Sequence, residues 1–512
     1  GSNYTDLIDI GIGRIPVTNI ADAEAYVDKV ISYTSSSSRG YWKNKMCFVA
    51  DDVDDGWEIS LVNQADDLAS KISNMYPQFN LSKIYIDSYQ QSLSSGSQRY
   101  PEAQNDLRNI IDEGVLLVNY VGHGGEVGWA SERILELSDI NGFTNFNKLP
   151  VFITATCEFT RYDDATRVSA GEYLLLNPNG GAIGLYSTSR TVTASETYNL
   201  VNSLYEFLPD KNSNYTFGES MCLAKNNLGN TNYVVRKFSF FGDPNLKLSH
   251  PKFNIQTTSI ELLDSLNQVI PISNNEFEND TISSLSHVRV FGQVLDNSSL
   301  LNSFNGQLNV SVYGKSDSLI TLNNDEVVNN AGIPIEPFKY ELQSNIIYNG
   351  LATVEDGNFS FEFIVPKDIN YQIGNVKLSY YAVDSLIGEA TGSNNNILIG
   401  GSNDNARIDI IGPSIQLFMN DTNFVSGGYT NPDPQLLAFL FDESGINTVG
   451  IGIGHDLTAT LDGNTMNQYI LNDYYQSDLN SFQSGKLLYP FSQLSEGEHS
   501  LNLKAWDVYN NS

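Results

Sequence analysis

Cysteine is scarce in this chain: Cys47, Cys157 and Cys222 are the only three in 512 residues. So small and odd a set cannot make a disulfide framework, and none sits in a C-x-x-C pair, which excludes a zinc knuckle. Positive charge is scarce too. Lys and Arg total 28 against 60 Asp and Glu, giving a net charge of −32. Such a chain repels phosphate backbones and anionic lipid, so no nucleic acid partner is expected. Charged residues of both signs reach only 17%, and Asn, Ser, Thr and Gly fill the gap. No run of some 18 apolar residues offers a membrane-spanning helix. The opening Gly1-Ser2-Asn3-Tyr4 is not a secretory signal, and any such signal would lie upstream of it. G-x-S-x-G, H-E-x-x-H and a paired-carboxylate glycosidase pattern are all absent. Residues 450–455 (GIGIGH) match a phosphate loop only in glycine count. Lacking a Lys and a following helix, they read as a strand, with His455 structural or idle.

What is present is patterned. The length exceeds what one core organises, so two to four domains are expected. Up to His250-Pro251, apolar strand-like runs alternate with amphipathic stretches. Residues 45–50 (KMCFVA) read as a buried strand. Leu61, Ala65, Leu68 and Ile72 then recur at helical spacing through 59–75. Strand 83–86 and helix 103–111 follow. Residues 114–120 (GVLLVNY) and 149–155 (LPVFITA) are near-continuous β-rich runs, as in strands covered on both faces. A helix at 170–176 and a strand at 181–186 complete a βα alternation, hence a three-layer α/β domain with a largely parallel sheet. Cys47 falls inside a strand and Cys222 inside the helix 217–226, so both read as core. Beyond Pro251 the helices vanish and short alternating strands take over, at 288–295, 307–313, 358–365 and 375–383, punctuated by turns such as Asp356-Gly357. This is the grammar of an immunoglobulin-like sandwich. Residues 400–405 (GGSNDN) read as a linker, and a second strand set from Ile408 includes 435–441 and 501–508. The expected domains are 1–250 (α/β), 251–403 (β-sandwich) and 404–512 (a second β-sandwich). The last stops straight after a strand, as though more chain follows.

Two α/β strands end in chemistry. One runs into Gly122-His123-Gly124-Gly125 and the other into Thr156-Cys157-Glu158. Ligands of open parallel sheets bind beyond the carboxyl ends of strands, where such loops converge. A thiol needs a base within about 3 Å to become a thiolate near neutral pH, and imidazole is the usual partner. The glycines beside His123 admit a substrate backbone, and the amides of Gly124 and Cys157 are natural oxyanion donors. Against this stands the plainer reading: a cysteine after an apolar strand is more often core, and a lone histidine in a Gly-rich turn is usually idle.

The motifs tip the balance. Residues 120–125 (YVGHGG) with Trp129, residues 154–157 (TATC), residues 241–244 (FGDP) and residues 9–16 (DIGIGRIP) resemble the gingipain-type C25 cysteine peptidases. The resemblance spans about residues 6–250. It implies a caspase-like α/β fold and a His/Cys dyad, His123 and Cys157. Within the family, residues 128–135 (GWASERIL), 157–172 (CEFTRYDDATRVSAGE) and 236–238 (RKF) look most like the sortases of type IX secretion. That likeness implies removal of a C-terminal sorting domain from secreted cargo, and transfer of the cargo to a lipopolysaccharide amine. It also implies an outer-membrane shuttle protein as partner and a place on the surface of a Gram-negative cell. Nothing in the residues themselves chooses water or an amine as acceptor. By the same resemblance Asp52, in FVADDVDDG, falls near the acid that orients the histidine; Asp51 is the alternative, and the family residue there resembles Glu. Trp129 either walls the pocket for the side chain before the scissile bond or is a core aromatic. No cofactor is required. The run Asp51, Asp52, Asp54, Asp55 reads as a solvated turn or a calcium loop, so a structural calcium stays open. It fails the EF-hand template, with Val53 at a ligand position and no Glu at the last one. A complete catalytic region of this family carries a further subdomain ahead of DIGIGRIP, so the chain is expected to begin partway through. A hydrolytic endopeptidase and a catalytically idle surface-binding protein remain the alternatives.

Overall fold

The computed structural model describes residues 7–94, 96–210, 215–229, 233–264, 266–270, 281–329, 331–403, 406–449, 454–466 and 468–512. The chain divides into two compact units, Gly1–His250 with Ser318–Leu342, and Pro251–Asp317 with Gln343–Ser512.

The first unit is built on six strands: β1 (Lys45–Ala50), β2 (Asn80–Tyr85), β3 (Leu117–Val121), β4 (Val151–Ala155), β5 (Gly184–Thr188) and β6 (Phe238–Phe241). They lie in the order β6-β5-β4-β3-β1-β2. All neighbours run parallel except β5 and β6. Residues of β1 alternate between two cores. Met46, Phe48 and Ala50 enter one, and Cys47 and Val49 the other, which is why this strand is apolar throughout. Helices α2 (Ile59–Met75), α5 (Ala194–Leu204) and α6 (Phe217–Leu228) supply the first core. Helices α1 (Ile20–Thr34), α3 (Pro101–Glu113) and α4 (Ala170–Leu176) line the second. The expected helix at 59–75 is found with those bounds, burying Leu61, Ala65, Leu68 and Ile72. Helices α1 and α5 and strand β6 were not foreseen. Cys47 is wholly buried, whereas Cys222 is only partly so, its Sγ lying 3.1 Å from the Ile8 carbonyl.

Helix α1 is pinned to this unit by an unusual device. Lys29 is fully buried, and its Nζ donates to the carbonyls of Leu175 and Gly180 at 2.7 Å and of Asn177 at 3.3 Å. Those are the orphan carbonyls at and beyond the end of α4, which a buried donor must satisfy. Lys29→Met keeps the aliphatic volume and strands all three. It is expected to destabilise the unit by about 3 kcal/mol, read as an earlier midpoint of its urea transition.

The segment 318–342, expected within a sandwich, belongs instead to the first unit. Asp87 at the end of β2 accepts the backbone N–H groups of Asn323 and Asn324 at 3.0 Å each, and Tyr340 packs on Tyr85 with centroids 4.7 Å apart. Polar loop composition hides such a docking, because backbone amides held by one carboxylate leave no apolar period.

The second unit is all β. Its largest sheet runs through Phe253–Leu263, His287–Asp296, Asn358–Ile364, Ile346–Glu355, Gly306–Tyr313, Gly374–Asp384 and Gly388–Ser402. Pairing thins to two residue pairs at two corners, where Val354 meets Phe359 and where Phe253 meets Ala390. The two halves so defined wrap one core containing Val290, Phe361, Val310 and Leu378. A second core, with Leu436, Leu440, Leu457 and Leu487, sits under the strands from Ser414–Met419 onward. The expected linker is strand as far as Ser402, with 404–405 outside the described residues, and both strand sets fall in one compact unit. Residues 450–453 of the GIGIGH stretch also lie outside the described residues. His455 bonds to Asp368 at 2.6 Å.

Candidate active site

Strands β3 and β4 are neighbours in register, Val121 opposite Ala155. His123 and Cys157 each stand two residues beyond those ends, and Gly122 N–H donates to the Ala155 carbonyl at 3.3 Å. The sheet therefore brings the imidazole and thiol loops out at one edge, side by side.

The histidine is held from two directions. Asp51, just past the end of β1, accepts the backbone N–H of His123 at 2.6 Å through Oδ2. The ring partner is Glu58, whose Oε1 lies 2.8 Å from Nε2. Glu58 precedes α2 and is buried. Its other oxygen, Oε2, accepts the N–H groups of Asp54 and Asp55 at 2.8 and 2.7 Å. With Nε2 engaged, Nδ1 is the ring nitrogen left to take a proton. Trp57 closes over the ring edge-on, centroids 5.8 Å apart. Burial works against the imidazolium, but the bond to Glu58 and the charges of Asp51, Glu58 and Asp54 outweigh it, so the His123 pKa is raised.

The placement of the acid differs from the sequence expectation. Asp52 does not touch the ring; its carboxyl is buried against Glu132. Asp51 serves the histidine backbone, and Glu58 serves the imidazole. Glu58 stands at the mouth of the helix that follows β1, the strand beside β3, and no local pattern sets it apart from the aspartates before it.

Cys157 is partly exposed. Its Sγ accepts the N–H of Val192 at 3.4 Å and donates to the Val192 carbonyl at 3.6 Å, from the segment ahead of α5; the first contact favours a thiolate and the second a thiol. The next residue, Glu158, has φ 51°, a left-handed conformation that costs a non-glycine residue and is found where a tight turn is imposed. Buried hydroxyls fix that turn from below. Ser187 bonds to both Thr154 and Thr160 at 2.8 Å, and Thr188 donates to the Thr156 carbonyl. Glu126 then clamps the histidine loop to the cysteine loop. It accepts from Arg161 at 2.6 Å, pairs with Arg167 at 3.1 Å, and its carbonyl takes the N–H of Ala170 at 2.7 Å. Sequence reading missed Val192 and Glu126, because neither belongs to a local pattern.

Gly124 pairs with Trp129 in a small antiparallel ribbon. Ala130 N–H donates to the His123 carbonyl at 3.0 Å, which makes the 123/130 pair the hydrogen-bonded one. By the alternation of such ladders the Gly124 N–H turns away from its partner and stays available to an oxyanion. A Cβ at Gly124 would lie 2.6 Å from Thr156 Oγ1 and 3.0 Å from the Gly128 carbonyl. Gly124→Ala is therefore expected to push the two loops apart and lower kcat/KM by about 10²-fold, checked by steady-state kinetics on a peptide substrate. Trp129 is wholly buried and stacks on Tyr120 with centroids 4.4 Å apart, against Phe152 and Phe159. It underlies a cleft of about 780 Å³ lined by His123, Gly125, Val127, Arg133 and Ser138. Cys157 is not on that lining, so the cleft belongs to the histidine side of the site.

Residues 2–249, which carry Glu58, His123 and Cys157, match the model of peptidase family C25. No curated protein matches the chain. Among solved structures, dimeric latent PorU from Porphyromonas gingivalis aligns with 99% of this chain and 41% of its own, at 24% identity and a TM-score of 0.33. The Arg-specific cysteine proteinase gingipain R (RgpB) covers 77% of each chain at 15% identity and a TM-score of 0.39. The complex of P. gingivalis RgpB pro- and mature domains covers 77% of this chain and 78% of its own, at 15% identity and a TM-score of 0.38. The chain thus spans about two fifths of the PorU chain. Over residues 2–249, the stretch that holds Glu58, His123 and Cys157, this chain matches peptidase family C25.

Proposed function

We propose that this chain is a cysteine peptidase whose acyl-enzyme is handed to an amine, a sortase that removes a C-terminal sorting domain from secreted cargo. The observation carrying the peptidase reading is the pairing of strand ends, Val121 with Ala155, which sets the Glu58-supported His123 loop beside the Cys157 loop. His123 takes the proton of the Cys157 thiol, and the sulfur bonds to the scissile carbonyl carbon. The amides of Gly124 and Cys157 receive the oxyanion. The C–N bond then breaks as His123 returns its proton to the leaving amine, and a thioester remains on Cys157. Attack by an amine forms a new amide and expels the thiolate; attack by water gives a free acid.

The transfer reading is supported by the PorU-like segments 128–135, 157–172 and 236–238. On that reading the acceptor is a lipopolysaccharide amine and an outer-membrane shuttle protein is the partner. The place of action is the surface of a Gram-negative cell. The β strands behind the peptidase unit act as immunoglobulin-like docking modules, whose exposed edges can add a partner strand. A hydrolytic endopeptidase differs from this only in the acceptor.

The test is mass spectrometry of a cargo protein bearing its C-terminal domain, incubated with the enzyme and a small amine. The expected products are a Cys157 acyl adduct and cargo joined to the amine. Cargo ending in a free carboxylate at every amine concentration would assign the hydrolytic reading instead. Cargo left whole, with no adduct, would end both.

A further inference from the structure

In the second unit the strand Asn358–Ile364 has one partnered edge and one that is nearly bare. On the first it pairs with His287–Asp296, from Gln293 opposite Asn358 to His287 opposite Ile364. On the second it meets Ile346–Glu355 at two residue pairs only, Glu355 with Asn358 and Val354 with Phe359. The two strands then part. Among the described residues no other segment pairs with that second edge.

Hydrogen-bond alternation fixes what the bare edge presents. Val294 N–H donates to the Gly357 carbonyl at 2.8 Å, and Val365 N–H donates to the Ser286 carbonyl at 3.0 Å. Odd-numbered residues therefore bond toward His287–Asp296, and Ser360 and Glu362 turn their N–H and C=O groups to the open side. The facing strand is treated differently. Asn480 donates its N–H to the Leu351 carbonyl and accepts the Thr353 N–H through Oδ1, each at 2.8 Å, so that edge is covered. Proteins usually blunt an open edge with lysine, proline or a bulge. Asn358–Ile364 contains neither residue, its register is unbroken, and its one charge, Glu362, is tied to His287 and Arg289 at 2.8 and 2.7 Å.

This edge opens into a cleft of about 740 Å³. Tyr348, Phe361 and Phe482 line it with apolar surface, Phe361 stacked on Tyr348 with centroids 6.1 Å apart. Glu355 and Asp356 line it with negative charge; both are exposed and join no ion pair among the described residues.

We propose that the open edge of Asn358–Ile364 binds an extended segment of a partner protein, one in which apolar residues alternate with lysine or arginine, by adding it to the sheet as a strand. Main-chain groups of Ser360 and Glu362 supply the register. A strand's period of two sends alternate side chains to the aromatic surface and the others to the acidic rim. A second copy of this chain fits worse, because a net charge of −32 sets like charge against that rim. Such capture makes the docking role of the β strands specific, so it rests on that reading and owes nothing to the thiol chemistry.

The test uses the whole 512-residue chain carrying Cys157→Ala, titrated by calorimetry with a short capped peptide of alternating valine and lysine. Saturable binding is expected, together with slowed amide exchange at Ser360 and Glu362. Ser360→Pro removes one outward N–H and leaves the partnered edge intact, so binding should weaken about tenfold with the melting temperature nearly unchanged. Glu355→Lys, which alters no backbone group, should weaken it about threefold, and a valine–glutamate peptide should bind less tightly than either variant binds the first peptide. Equal affinity in parent and both variants would overturn this edge while leaving docking elsewhere on the β strands open. No binding by the parent at millimolar peptide would overturn it as well. Slow exchange at Ser360 and Glu362 in the free monomer would assign the edge to a segment of this chain, and slow exchange only in a dimer would assign it to a second copy; either result overturns the proposal. Turnover by the Cys157 enzyme is measured separately, so failure here and failure of the peptidase reading are told apart.

Discussion

Cys157→Ala is expected to lower peptide turnover by about 10⁴-fold or more, leaving only what positioning and oxyanion donors supply. In the proposed mechanism the sulfur makes the covalent bond, and neither of the other two cysteines is placed to replace it. Cys47 is wholly buried in β1, and Cys222 lies in α6, bonded toward Ile8. The fold should be indifferent. Sγ makes two long contacts with Val192, accepting its N–H at 3.4 Å and donating to its carbonyl at 3.6 Å, and the side chain is already partly exposed. A loss of stability no greater than about 1 kcal/mol is expected. Kinetics together with a denaturation curve separate the two effects. Turnover by the alanine variant at the parent's rate would sink the proposed mechanism outright.

Glu58→Gln is expected to cost nearly as much, about 10⁴-fold in kcat/KM, for a reason specific to this geometry. One carboxylate oxygen of Glu58 accepts two backbone N–H groups, from Asp54 and Asp55, while the other faces His123 Nε2. In the amide variant the carbonyl must stay with the two N–H donors, so the NH₂ group is turned toward the imidazole. Nε2 then becomes an acceptor, the ring proton is forced onto Nδ1, and the nitrogen needed as base is blocked. The loss should fall mainly on kcat, since Glu58 is buried and its oxygens face the imidazole and two backbone amides. Proton NMR of the imidazole in both proteins reports the tautomer directly. A normal tautomer with full activity would show that the Glu58 contact is idle.

These two residues differ in how they could be found. Cys157 follows an apolar run, VFITA, and His123 follows another, LVNYV. A run apolar at every position means a strand covered on both faces, and parallel sheets gather function at one end. Glu58 has no such marker. It sits at a helix entrance after four aspartates, and nothing local distinguishes its carboxylate from theirs. Asp52 was the nearest acid by motif, yet the chain turns it inward to Glu132 and brings the later residue to the ring. Trp129 was open between pocket wall and core aromatic. Its stacking on Tyr120 is a long-range contact between the ribbon and β3 that no residue pattern encodes.

The amino-acid pattern alone determined the α/β character of the first 250 residues, the strand-rich remainder, and the His123 and Cys157 loops. These depend on period, on apolar runs and on short motifs, all of which are local. Tertiary structure alone decided that Glu58 reaches the imidazole, that Val192 meets the sulfur, that Glu126 ties two loops together, and that residues 318–342 return to the first unit. Each of those is a polar contact between segments far apart in sequence. Its energy depends on distance and burial, and neither quantity exists until the sheet has fixed which loops share an edge.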